Sequence, residues 1–154
     1  MELELPAPGT ARPEVAGLEA FVCETEPRVS RCRLKPGLAR TFAGVPVDGA
    51  ILDVREGKVA VAAVFFDESS FEDVVVRLAA DFGPGEDHSE ALRAGMGGTF
   101  TNVVKAWRRD GSVWFAEQYA GRINRSAVSR LRPAEFDAIM VARAAQRVNG
   151  ARDL

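Results

Sequence analysis

His88 is the only histidine in the chain, so chemistry that needs a base titrating near neutrality would start there. It stands in the run Glu86-Asp87-His88-Ser89-Glu90. An Asp, a His and a Ser in succession do not make a proton relay, because such groups converge from separate elements while chain neighbours point apart. The setting is that of a solvated loop histidine. Asp81, Glu86, Asp87 and Glu90 supply oxygen atoms, but not at the spacing of an EF-hand. The glycines of Gly83-x-Gly85 and Gly95-x-Gly97-Gly98 lack the Lys-Ser/Thr of a phosphate loop and the strand-to-helix context of a dinucleotide site. Turn glycines explain them. From these patterns we expect no catalytic residue, no metal site and no cofactor.

Cys23 and Cys32 are the only cysteines, with eight residues between them. That is neither zinc spacing nor a redox CxxC pair, and no histidine lies nearby to complete a metal site or activate a nucleophile. Two readings survive. One is a small disulfide loop in an exported protein; the other is two unrelated buried thiols in a cytoplasmic one. The intervening segment is polar and contains Pro27, as a surface loop would.

The aromatic residues offer a binding surface. If Asp110-Gly111 forms a two-residue hairpin turn, Trp107 faces Trp114 across the pair and Arg108 faces Val113. Two indoles so placed form either a platform for a partner or a cross-strand pair that stabilises the hairpin and caps the core. Arg108 and Tyr119 flank them, so Trp107, Trp114, Arg108 and Tyr119 are the expected binding residues. Residues 105–132 also carry Lys105, Arg108, Arg109, Arg122, Arg125, Arg130 and Arg132 against Asp110 and Glu117. Interleaved with aromatics, such strands resemble a single-stranded nucleic-acid surface. The absence of an RNP motif and the net charge of -2 argue against it.

These residues need a scaffold, and 154 residues with 47% hydrophobic content suit one globular domain. No apolar run approaches the ~20 residues of a membrane span. The first fifteen residues lack the basic and apolar regions of a signal peptide, which fits a mature N-terminus carrying an added start Met. Pro6, Pro8, Gly9 and Pro13 make residues 1–16 an extended arm, leaving a single domain over 17–150. Residues 18–22 suggest a turn or short helix. Residues 23–40 read as a polar loop broken by Pro27, Pro36 and Gly37.

Two apolar runs around Glu56-Gly57 predict a hairpin. A uniform register places Leu52, Val54, Val59, Val61, Ala63 and Phe65 on its buried face and Ala60, Ala62, Val64 and Phe66 on the other. A helix over 70–82 follows, with a Ser69-x-x-Glu72 capping box, an apolar stripe at Phe71, Val74, Val75, Leu78 and Phe82, and a stop at Gly83-Pro84. Residues 83–99 read as a glycine-rich loop with one helical turn at 89–93. A second hairpin joins 100–109 to 112–120, with a third strand over 122–131. Pro133 begins a last helix over 133–149. The expected fold is α+β: an antiparallel sheet of four to five strands built from two hairpins, with both helices packed on one face.

The order of these features resembles a loose group of small exported bacterial proteins of unknown function. The matching stretches are Cys23 and Cys32, Gly44-Val45-Pro46, Phe65-Phe66-Asp67, residues 71–78, Phe82-Gly83-Pro84, and Trp107 followed by Asp110-Gly111. They span residues 20–130. The resemblance implies a periplasmic or secreted protein with a Cys23–Cys32 disulfide and carries over no catalytic residue. The expected function is therefore non-enzymatic binding of a protein partner, of the inhibitor or immunity type. The alternatives are a hydrolase or small-molecule site in loop 83–99, and a single-stranded nucleic-acid binder through strands 105–132. A cytoplasmic location is the alternative to export.

Overall fold

The computed structural model describes residues 1–24 and 29–154; the expected break at Pro27 lies outside them. In chain order the strands are β1 (Phe21–Cys23), β2 (Val29–Leu34), β3 (Thr41–Phe42), β4 (Val45–Pro46), β5 (Gly49–Arg55) and β6 (Lys58–Asp67). Helix α1 (Phe71–Phe82) separates these from β7 (Glu86–Asp87), β8 (Glu90–Arg93), β9 (Thr99–Asn102), β10 (Val104–Arg109), β11 (Ser112–Arg122) and β12 (Arg125–Leu131). Helix α2 (Pro133–Ala145) and β13 (Ala151–Asp153) close the chain.

The main sheet has eight strands in the order β1-β2-β5-β6-β12-β11-β10-β7, not the four or five expected. All its pairings are antiparallel. Both expected hairpins are present, and β12 joins them by pairing with β6 on one side and β11 on the other. Their turns, Glu56-Gly57 and Asp110-Gly111, have φ of 52° and 75°, and 52° and 72°. Positive φ at both central residues matches the strand twist and sets a two-residue loop. Trp107 therefore lies opposite Trp114 and Arg108 opposite Val113.

The extra strands come from segments read as loops. In β2 only alternate positions need to be apolar or small. Ser30 and Cys32 are buried while Arg33 is exposed, so its mean polarity hid a strand. Cys23 and Cys32 are opposed across β1 and β2 and joined by a disulfide, their Cα atoms 3.9 Å apart. In the chain-entropy account so short a loop stabilises by about 2–3 kcal/mol. Urea unfolding of a Cys23→Ala, Cys32→Ala double variant should show that loss; a change below about 0.5 kcal/mol would mean the bond constrains little.

The β5–β6 register departs from the uniform one. Val54 pairs with Val59, but Asp53 pairs with Val61, leaving Ala60 as a bulge. One extra residue reverses the faces beyond it. Ala62, Val64 and Phe66, expected on the outer face, are the residues fully buried under α1.

The helices lie on opposite faces of the sheet, not on one. Phe71, Val74 and Leu78 of α1 pack with Leu52, Val64, Phe66, Trp107, Ala116 and Val128. Phe136 of α2 packs with Val104, Ala106, Val113, Phe115 and Leu131. Residues of β11 alternate between the two clusters, as successive positions on a strand must. The central strands are thus buried on both sides, which explains their nearly continuous apolar runs and demands a cover on each face.

Helix α1 ends as expected, with Gly83 at φ 85° donating its amide to the Ala79 carbonyl at 2.8 Å. Its start differs. Asp67 accepts hydrogen bonds from the Ser69 amide at 2.9 Å and the Ser69 hydroxyl at 2.6 Å, capping a short 3-10 turn that feeds the helix. Helix α2 stops at Ala145, short of residue 149.

Segment 83–99 holds β7 and β8, and residues 90–93 form a strand where a helical turn was expected. Residues 100–109 are split at Val103: β9 joins β8 and β13 in a separate three-stranded sheet, while β10 stays in the main one. Asn102, fully buried, spans the junction. Its Oδ1 accepts from the Tyr119 amide at 2.9 Å and its Nδ2 donates to Glu90 at 3.3 Å. Arg152 of β13 donates to both Glu90 oxygens at 2.8 and 3.0 Å, and Arg143 of α2 lies 3.6 Å away. Burial pushes the Glu90 carboxyl up, but Arg152, Asn102 and Arg143 together outweigh it and hold the pKa below the usual value.

Candidate binding cavity at Trp114

The α1 side of the sheet carries a cavity of about 350 Å³, within the size range of ligand pockets. Four segments line it. The end of α1 supplies Arg77, Leu78, Asp81 and Phe82; the main sheet supplies Trp114 and Arg130; the leading residues 2–5 form a third side, and Phe42 with Ala43 at the β3–β4 turn a fourth. That leading segment is held by hydrogen bonds from the Leu3 amide to the Thr41 carbonyl at 2.7 Å and from Arg130 to the Leu5 carbonyl at 2.9 Å. Leu3 and Leu5 are buried in the main core.

Strand register sets the chemistry of the wall. Trp114 and Arg130 are cross-strand partners on β11 and β12. The Arg130 guanidinium consequently lies over the indole, 4.6 Å from its centroid. Phe82 meets the same indole at 5.3 Å, and Arg109 stacks on Phe82 at 4.7 Å. Two aromatic rings thus sit between two guanidinium groups. Arg130 also donates from Nε to Ser112 Oγ at 2.9 Å. Burial pushes its pKa down from the ordinary guanidinium value. Among the described residues no carboxylate lies within ion-pair distance of it, whereas Arg77 pairs with Asp81 at 3.5 Å. Glu2 and Glu4 are exposed at the cavity's margin.

Of the four expected binding residues, only Trp114 lines this cavity. Trp107 is 3% exposed and donates its indole N–H to the Gly83 carbonyl at 2.8 Å. The Gly83-Pro84-Gly85 turn wraps it so closely that a Cβ on Gly85 would come within 2.9 Å of the ring. Arg108 points to the α2 face, where it pairs with Glu86 at 2.9 Å and Asp137 at 3.2 Å. Tyr119 sits further along β11, edge-on to Phe100 at 5.0 Å.

The other candidates are also dispersed. His88 packs edge-on against Phe136 at 5.1 Å and lies 3.4 Å from Glu86. Asp87 accepts from the Ser89 hydroxyl and amide at 2.6 and 3.0 Å, contacts that hold its pKa down, so Asp87 is engaged with Ser89 rather than with the imidazole. His88 thus lies against α2. The basic strand residues are engaged separately: Lys105 pairs with Asp87, Arg108 with Glu86 and Asp137, and Arg125 donates twice to the Ala120 carbonyl while stacking on Phe65. They divide between both faces of the sheet, with Arg108 toward α2 and Arg109 and Arg130 toward α1.

Sequence reasoning missed Arg130, Phe82 and the leading segment as parts of one wall. The Arg130 placement had no simple signal: extending the Arg122–Arg125 pairing uniformly would set Trp114 opposite Pro133, and an irregularity between Glu117 and Arg122 shifts the register to Arg130. No local signal links residues 2–5 to α1, since their contact depends on the whole sheet. No family model, curated protein or solved structure matches this chain. Among the described residues no helix is long and apolar enough to cross a membrane.

Proposed function

We propose that this chain is a non-enzymatic extracytoplasmic protein, akin to the small exported proteins that its motif order resembles. It binds a protein partner through the Trp114 cavity as an inhibitor or immunity-type protein. The observation that carries this reading is the cavity itself: an aromatic floor of Trp114 and Phe82 with mixed charges around it. Such a site accepts one apolar anchor and orients its polar surroundings, which is how a few interface residues come to dominate affinity. The Cys23–Cys32 disulfide supports an oxidising compartment, where such bonds persist.

The test is capture of the partner from the extracytoplasmic fraction of the native host, followed by titration with wild type and Trp114→Ala. The substitution should weaken binding by more than about 1 kcal/mol, roughly fivefold in Kd, while the protein stays folded. Equal affinities would remove the cavity from the contact and overturn the reading.

A further inference from the structure

We propose that Arg130 makes the Trp114 cavity a receptor for the C-terminus of its partner, taking a terminal carboxylate together with the apolar side chain of the last residue. This rests on the partner-binding reading above and names the group that enters.

Three observations support it. Arg130 is a half-buried cation with no carboxylate within ion-pair distance among the described residues, so an incoming anion would meet an unpaired positive charge. Its Nε and Nη1 are used by Ser112 and the Leu5 carbonyl, neither of them charged, while Nη2 has no protein acceptor among the described residues. A planar guanidinium with donors to spare matches a carboxylate. Second, the guanidinium lies 4.6 Å from the Trp114 ring centroid. A ligand meeting both must therefore carry its anion and its apolar group within the span of one residue. A C-terminal Phe or Leu does so, with both groups on the same Cα. Third, the volume of about 350 Å³ is large enough to take one such residue. Glu2 and Glu4 at the margin disfavour an acidic chain leading in and favour a basic residue just before the terminus.

The experiment uses three defined peptides and the intact protein in calorimetric titrations. Ac-Ala-Lys-Phe with a free carboxylate should bind at least tenfold more tightly than the same peptide as its C-terminal amide. This comparison alters only the ligand and needs no variant to fold. Ac-Ala-Asp-Phe-amide carries its anion on a side chain and should bind no better than the lysyl amide. Arg130→Gln, confirmed folded by its unfolding midpoint, should erase the preference for the free acid, and Arg130→Lys should restore part of it. Equal binding of acid and amide, or tight binding of the aspartyl amide, overturns the C-terminal assignment. The two readings fail separately. If Trp114→Ala abolishes capture of the natural partner but the free acid does not compete, partner binding stands and the carboxylate assignment falls. If Trp114→Ala leaves capture unchanged, the cavity itself is not the contact.

Discussion

Glu90→Gln should lower the unfolding free energy by about 3–5 kcal/mol, the range for breaking a buried ion pair from one side. The Glu90 side chain is 1% exposed and faces Arg152, Arg143 and Arg147 at 2.8, 3.6 and 3.7 Å. Glutamine keeps the shape and the contact with Asn102 but removes the negative charge. Arg152 and Arg143, each less than one-fifth exposed, then remain with only Glu117 to share. The loss is global because Glu90 holds together β8, β13 and α2, and through Asn102 the junction with β11. Urea titration at pH 7 reads it as a lower midpoint with unchanged slope. A drop under about 1 kcal/mol would mean that solvent already screens the cluster.

The same group sets a pH dependence. Because the folded-state pKa of Glu90 lies below its unfolded value, the unfolded chain binds the proton more readily. The stabilisation is complete above the ordinary glutamate pKa of about 4.3 and fades as pH falls through the folded value. In Glu90→Gln this part of the acid-induced loss should disappear, so the two proteins should converge in stability in acid.

The second large effect falls on Trp107. Trp107→Ala should cost about 3–5 kcal/mol by removing a buried indole and leaving a cavity beneath Phe82. The Gly83 carbonyl also loses its donor, and the Gly83-Pro84-Gly85 turn loses the ring it wraps. Thermal and urea unfolding measure this directly. Trp114→Ala removes a half-buried ring at the cavity floor and should cost clearly less stability. If the two substitutions destabilise equally, the distinction between a core tryptophan and a surface one fails, and with it the case for a site at Trp114.

That contrast shows how far residue identity carries. The turn Asp110-Gly111 and the opposed indoles were legible, because a two-residue loop with positive φ at both positions fixes pairing locally. What each indole does was not. Both occupy the same face of the sheet, and only the end of α1 and the leading segment decide that one is sealed and the other lines a cavity. Likewise the alternation around Glu56-Gly57 was legible up to Val59. The bulge at Ala60 then reversed the pattern, and nothing in a run of Val and Ala announces where an extra residue will be accommodated. The polar strand β2 was hidden because a strand next to the sheet edge can bury Ser30 and Cys32 while presenting arginines outward.

Residue types and their spacing settle the elements whose causes are local: two tight turns, the stop of α1 at Gly83-Pro84, the start of α2 at Pro133, and the apolar stripe of α1. Backbone sterics, capping and periodicity act within a few residues, so they can be read from neighbours. Long-range packing is what fuses the hairpins through β12 into eight strands and sends the helices to opposite faces. It alone brought Arg152 to Glu90 across 62 positions and Leu5 to Arg130 across 125. Those outcomes depend on which surfaces meet and on where a charge finds its partner or lacks one. The single histidine, read from its setting as a loop residue, packs edge-on against Phe136, whereas an arginine in an ordinary basic strand became the group around which the proposed site is built.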